Sequence, residues 1–293
     1  MIEGALWSAR LLQLASALGL FGVAAGAARG SALPRWLLPA AAVAGVLSAL
    51  AWLSCEAVTI TGSWTAVPAV IGGTRMGQVL ALRALLFTAV LVRPRQIPER
   101  ALWLGLTLVG GILAASFAWT GHGAAGDDGQ GMLHQAADVL HLLAAGLWIG
   151  ALLELCAQAM RCLQTPQAAP ARVLLAGLSR FSATGPAIVA LLALTGVINS
   201  WVLIGLRNWN LLLATSYGLA LLVKLALFAG MLALAAINRL RLTSRLQIAL
   251  DTGTGTDAAL GSLRRSLAAE TALGLLVLAV VAWLGMLEPP ADG

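Results

Sequence analysis

The chain reads as a succession of apolar runs, several longer than eighteen residues, separated by short polar connections. A run of that length is what a helix needs to cross a bilayer core. The pattern predicts spans at residues 5–28, 36–58, 75–92, 101–119, 133–157, 181–206, 216–238 and 266–286. The expected fold class is therefore all-α, a polytopic membrane helical bundle of about eight transmembrane helices forming one integral domain over residues 1–293. The segment AAGAARGSA after the first run has the small residues of a cleavage site, but the leading MIEGALW carries an acid and no basic cluster. The first run is thus read as a helix and not as a signal peptide.

Composition strengthens this picture, since 60% of the residues are apolar and only 10% are charged. The charges are unevenly placed. Arg29, Arg35, Arg93, Arg95, Arg100, Arg161, Arg172, Arg180, Arg239, Arg241, Arg245, Arg264 and Arg265 fall in the odd-numbered connections, whereas the even-numbered ones hold Arg75 and Arg207. By the positive-inside rule the first group faces the cytoplasm and both termini lie outside. The net charge of +6 is then a topology signal. Arginines scattered without interleaved aromatics do not suggest nucleic acid, and anionic headgroups of the lipid bilayer are partner enough. Cys55 is expected near the outer face and Cys156 and Cys162 at the inner end of the fifth span, so the three make no disulfide framework.

Thr74, Gly77, Leu80 and Arg83 recur as Thr215, Gly218, Leu221 and Lys224, a constant 141 residues later. This predicts a parallel internal repeat, with halves at roughly 1–120 and 133–265. Arg83 and Lys224 would sit about 12 Å below the outer edge. There they face the bundle and pair with Glu56 or Asp138, or else snorkel to the headgroups.

The three histidines, His122, His134 and His141, fall within twenty residues, with Asp138 between the last two. At about 100° per residue, His134, Asp138 and His141 share an arc of roughly 60° on one helix face. Cys55, Glu56, Met76, Met132 and Tyr217 are also expected near the outer helix ends. Imidazole with thiolate, thioether or carboxylate suits a transition metal, with Asp138 able to orient an imidazole, while nothing resembles an all-oxygen calcium or magnesium cage. Met76 and Met132 read more readily as packing residues. No nucleophile elbow, phosphate-binding loop or paired catalytic carboxylates occur, so an enzyme is not expected.

HLLAAGLWIGALLEL from His141, RFSATGPAIVALLALTGVINSWVLIG from Arg180 and TSYGLALLVKLALFAGMLALAAINRLRL from Thr215 resemble the copper-resistance membrane proteins of the CopD or PcoD type. TRMGQVLALRALL and Gly121 with His122 extend the likeness more loosely toward the N-terminus, where Gln13 replaces a histidine such proteins often have. The resemblance implies an inner-membrane protein of copper homeostasis that moves copper inward from a periplasmic CopC-like carrier. On that reading copper meets His122, His134 and His141, with Met132 and Cys55 as further soft donors. Asp138 and Glu56 tune charge, and Arg83 and Lys224 hold carboxylates or gate the path. The alternative is a haem-binding electron-transfer protein, since buried histidines in a helical bundle also serve as axial ligands. A reporter fused at Gly293 checks the orientation: one that works only in the periplasm should be active, and one that works only in the cytoplasm should be silent.

Overall fold

The structure is a computed structural model that describes residues 2–31, 36–93, 97–120, 129–164, 168–205 and 211–289. Among these residues the regular structure is all helical, with eight helices long and apolar enough to cross a membrane. They are α1 (Ile2–Ala28), α2 (Leu37–Thr61), α4 (Arg75–Val92), α5 (Glu99–Ala115), α6 (Gly129–Gln164), α7 (Ala168–Ile204), α9 (Ser216–Ile237) and α11 (Thr256–Leu284). Three shorter helices, α3 (Val67–Gly73), α8 (Leu211–Ala214) and α10 (Thr243–Thr252), complete the order.

The all-α membrane bundle expected from the hydropathy pattern is what forms, but several helices outrun their predicted spans. α6 and α7 have 36 and 37 residues, and α9 continues through a π-helical turn at Asn238–Leu242 into α10. The inner connections expected between 157 and 181 and between 238 and 266 are therefore mostly helix. Hydropathy marks where lipid ends, whereas a helix continues into headgroups and water as long as its backbone bonds stay closed. The short α3 has no signature as a span because it has only seven residues.

The two ends of the bundle differ in chemistry. One, here the histidine end, carries His134 and the start of α1; the other, the arginine end, carries Arg29, Arg161, Arg180 and Arg239. α1 is the central helix, 72% of its most apolar stretch being buried against 11% for α9. It packs on α2, α5, α6 and α11. Its contact with α6 is closest where Gly22 lies against Gly146 and Gly150, with no room for a Cβ at Gly22 or Gly150 beside the opposing backbone. Gly146 and Gly150 form the small-xxx-small spacing by which membrane helices approach closely. Gly110 also brings α5 close to the α1 backbone, at Phe21.

The start of α4 and the start of α9 are built the same way. The Thr74 hydroxyl accepts from the Gly77 N–H at 2.9 Å and donates to the Val70 carbonyl at 2.8 Å. Thr215 accepts from Gly218 at 3.1 Å and donates to Leu211 at 2.9 Å. Gly77 and Gly218 each leave no space for a Cβ beside the short helix that precedes them. The sequence repeat thus corresponds to a repeated turn, which sets Arg83 and Lys224 at equal depth.

Because the α1–α6 contact is backbone on backbone, Gly150→Leu should force the helices apart at a cost of about 1–3 kcal/mol or more. A clear drop in melting temperature is expected in detergent. Gly105→Leu, at a position open to the surroundings, should melt like the unmodified protein.

Candidate functional site

The face of α6 that carries His134, Asp138 and His141 is turned toward polar side chains of α7 and α9. Asn199 Nδ2 donates to Asp138 Oδ1 at 3.3 Å. Thr195 Oγ1 lies 2.9 Å from His141 Nδ1, and its hydroxyl hydrogen goes to the Leu191 carbonyl at 2.6 Å. With that hydrogen so placed, the threonine oxygen can accept from Nδ1–H, the tautomer in which Nε2 carries the lone pair of the ring. A hydroxyl that fixes the tautomer in this way is the support a metal-binding imidazole needs.

Two cavities meet at Lys224. The first, about 170 Å³, is lined by Arg10, Trp52, His134, Asp138, Asn199 and Lys224. The second, about 570 Å³, is lined by His141, Trp148, Lys224 and Met231 among mostly apolar side chains. Gly196, Ser200 and Leu221 line both. Along α6, His134, Asp138, His141 and Trp148 follow at about 6, 10.5 and 21 Å from the first, given 1.5 Å per residue. Asp138 and Lys224 feel each other's charge across the first cavity.

The expectation of one metal site on the α6 stripe concerns residues that this arrangement spreads along the helix. His134 and His141 are two helical turns apart and line different cavities, so one ion cannot bind both. Among the described residues no three His, Cys, Asp or Glu side chains converge as ligands. His122 lies outside the described residues. Cys55 is half-buried on α2, Met132 is exposed, and neither lines either cavity.

The carboxylate pairing expected for Arg83 is also replaced. Its guanidinium is fully buried and donates to Gln13 Oε1 at 2.8 Å, Ser116 Oγ at 2.7 Å and Thr120 Oγ1 at 2.8 Å. The Phe117 ring lies 3.8 Å from it. Three oriented neutral acceptors and an aromatic face occupy the guanidinium fork, and no carboxylate among the described residues is within ion-pair distance of it. Glu56 instead accepts from Trp52 Nε1 at 2.9 Å and shares its surroundings with Arg10, whose guanidinium stacks 4.5 Å from the Trp52 ring.

Arg10 and Glu270 are the charged residues whose part in the interior the sequence does not announce. Each sits singly inside a long apolar span, and that placement alone is the signal. Glu270 accepts from Trp148 Nε1 at 3.1 Å and from Asn238 Nδ2 at 2.9 Å. At the arginine end, Glu154 pairs with Arg180 at 3.0 Å and accepts from Ser31 at 2.7 Å.

Comparison with known proteins identifies the family to which the chain belongs. The family model described as copper resistance protein D matches residues 175–284, and that of the copper resistance protein D-like N-terminal domain matches residues 1–135. Copper resistance protein D of Pseudomonas syringae pv. tomato is 36% identical, over 96% of this chain and 94% of its own length. Inner membrane protein YebZ of Escherichia coli K12 is 30% identical over 85% of this chain and 83% of its own. Copper transport protein CutJ of Bacillus subtilis is 32% identical over 62% of this chain but 30% of its own length. No solved structure is significantly similar. With two family models spanning most of the sequence and a 36% identical relative matched along nearly its whole length, the chain belongs to the copper resistance protein D family.

Proposed function

We propose that the protein carries copper across the bacterial inner membrane, from the periplasm toward the cytoplasm, through the half of the bundle built by α6, α7, α9 and α11. The observation that carries this reading is the pair of cavities joined at Lys224, one holding His134 and Asp138 and the next holding His141. The histidine end is periplasmic in this reading, because the arginines cluster at the other. Copper arrives from a periplasmic CopC-like carrier, and the exposed Met132 offers a soft first contact. His122 is a further candidate ligand for the incoming ion.

The ligands act in succession and not as one cage. His134 and Asp138 receive the ion in the first cavity; His141, its Nε2 left free by Thr195, takes it in the second. Lys224 stands between them and serves as the gate. Its ammonium neutralises Asp138 while the path is empty, and an arriving cation takes its place beside the carboxylate. Arg83 and Glu56 keep the first half ordered, and Cys55, outside both cavities, is an accessory thiol on α2. Haem ligation finds no support in this arrangement or among the relatives.

Uptake of copper(I) into proteoliposomes, read by a copper sensor trapped inside, tests the proposal. The unmodified chain should load the vesicles, and combined His134→Ala and His141→Ala replacement should lower the rate at least tenfold. Asp138→Asn should weaken binding about 10- to 100-fold, as loss of an ion-orienting carboxylate does. Lys224→Met should leave folding intact and abolish regulated uptake. Rates unaffected by the double histidine replacement would overturn the assignment.

A further inference from the structure

Beyond the His141 cavity the bundle holds a third space, of about 410 Å³, toward the arginine end. Trp148 lines both, and its indole stands between them against Phe228 at 5.8 Å and Phe181 at 6.2 Å between ring centroids. Most of the lining is apolar, and no described histidine, cysteine or methionine belongs to it. A metal ion has no ligand set here. Yet Glu270, midway along α11 and only 1% exposed, lines this space. Acids placed singly inside membrane spans are costly to keep, and relaying protons is one of the uses that retain them.

The two oxygens of Glu270 have partners of different kinds. Trp148 Nε1 donates to Oε1 at 3.1 Å, and an indole nitrogen can only donate. Asn238 Nδ2 donates to Oε2 at 2.9 Å, while Oδ1 of the same amide is buried without a partner. An amide can also accept. With a proton on Oε2, turning the Asn238 amide over would place Oδ1 where Nδ2 stands, so that the acid O–H donates to it. One neighbour thus serves the carboxylate and the acid alike, and the bond from Trp148 is the same in both. Of the two oxygens, Oε2 is the one whose partner suits either protonation state.

No basic side chain among the described residues fixes the charge of this group. Arg239, on the π-helical turn, lines the cavity but is exposed and is not within ion-pair distance. On α6, Cys156 is near enough to feel the Glu270 charge and has its Sγ 3.2 Å from Thr271 Oγ1, while Glu154 is engaged by Arg180 and Ser31. His141 on α6 and Lys224 on α9 line the cavity on the other side of Trp148. Arg10 and Arg29 on α1, Arg245 on α10, and Arg264 and Arg265 on α11 itself do not line this one. The remaining neutraliser is a proton, and water can bring it. Exposed Arg239 and Leu240 mark where the space opens at the arginine end. Inside it, Ser182 offers a hydroxyl and a carbonyl that lacks its helical donor, because Pro186 has no N–H; both are partners for water.

We infer that Glu270 is a proton-binding site coupled to the copper path: its Oε2 exchanges one proton with water from the arginine end, and releases it when a cation fills the His141 cavity across Trp148. The inference rests on the transport reading above. In release the O–H bond breaks, its electron pair stays on the carboxylate, and the proton leaves on cavity water as hydronium. When the cation moves on, the reverse step restores the acid. His141 and Trp148 are seven residues apart on α6, about 10.5 Å, and Glu270 lies just past the indole. A cation and a carboxylate roughly 12 Å apart, in surroundings of effective dielectric about 20, alter each other's equilibrium about tenfold. The arriving ion therefore finds a carboxylate on the far side of the wall, and the departing ion leaves an acid behind.

The test uses the full chain in lipid nanodiscs, with copper(I) supplied as its acetonitrile complex. Infrared spectra should show a carboxylic acid C=O band that fades reversibly as pH rises, persists in Asp138→Asn, is absent in Glu270→Gln and is displaced in Glu270→Asp. Copper should move the midpoint of that titration about one pH unit lower, the same tenfold factor read from the proton side. Copper affinity should rise with pH, through the histidines as well as through Glu270. Glu270→Gln, fixed in the neutral form, should bind copper as the unmodified protein does at acid pH and about tenfold more weakly at alkaline pH; a merely structural fault would weaken both equally. A band that ignores pH, or whose midpoint copper leaves in place, overturns the inference, as does a Glu270→Gln affinity that follows the unmodified protein at every pH. Should Glu270→Gln fail to fold, the bands of the unmodified chain and of Glu270→Asp decide. Absence of copper binding in the unmodified chain would overturn the transport reading and the coupling, while the pH titration of the band would still decide whether Glu270 exchanges a proton.

Discussion

The contact on which the rest of the molecule depends is the crossing of α1 and α6 at Gly22, Gly146 and Gly150. Lipid gives apolar helices no hydrophobic reason to associate, so their attraction comes from close van der Waals fit. Three glycines let two backbones touch, and that contact joins the first four membrane helices to the last four. Everything polar in the interior is arranged around the same two helices. Gln13 and Arg10 stand on α1, and His134, Asp138, His141 and Trp148 stand on α6. Side chains on α2, α4, α7, α9 and α11 reach inward to meet them.

The repeat shows one scaffold carrying two chemistries. Gly22 and Gly150, Gln13 and His141, and Arg10 and Asp138 are each separated by 128 residues, while Glu56 and Asn199 are separated by 143. In the first half a cation on α1 stands near a carboxylate on α2, and an amide on α1 accepts from a buried arginine on α4. In the second half the carboxylate has moved to α6 with an amide on α7, and the amide of Gln13 has become the imidazole of His141. The first set is tied up by hydrogen bonds and stacked rings, with Arg10 and Trp52 reaching the wall of the first cavity. The second set lines open space.

Much of this was legible before any fold was known. Hydropathy sufficed for eight spans because in lipid a backbone has little choice but to form helices. The spacing of Thr74, Gly77 and Arg83 against Thr215, Gly218 and Lys224 announced a turn used twice. Helix ends were less legible, since the polar turns of α6, α7 and α10 obey backbone geometry after hydropathy has fallen silent. The α6 stripe is legible as a face, but angular alignment says nothing of the two-turn separation of His134 and His141 along the axis or of the different cavities they line. Partners on other helices were hidden for a related reason: that Arg83 would be satisfied by Gln13, Ser116 and Thr120 depends on which helices touch, and neutral acceptors carry no signal of their own. Glu270 stood in plain view as an acid within an apolar run, without a neighbour in sequence to give it meaning.

The closure of Arg83 has an electrical result. Its charge is fixed, wholly buried and unopposed by any carboxylate within pairing distance among the described residues. In so poorly screened a medium its field extends well past its hydrogen-bond partners. Any small cation that strayed toward the Arg83 pocket would climb a potential hill, whereas in the second half the cation of Lys224 has the carboxyl group of Asp138 on the same cavity wall. On the transport reading proposed above, a bundle with two similar lobes would conduct through one of them, the other serving as the insulator.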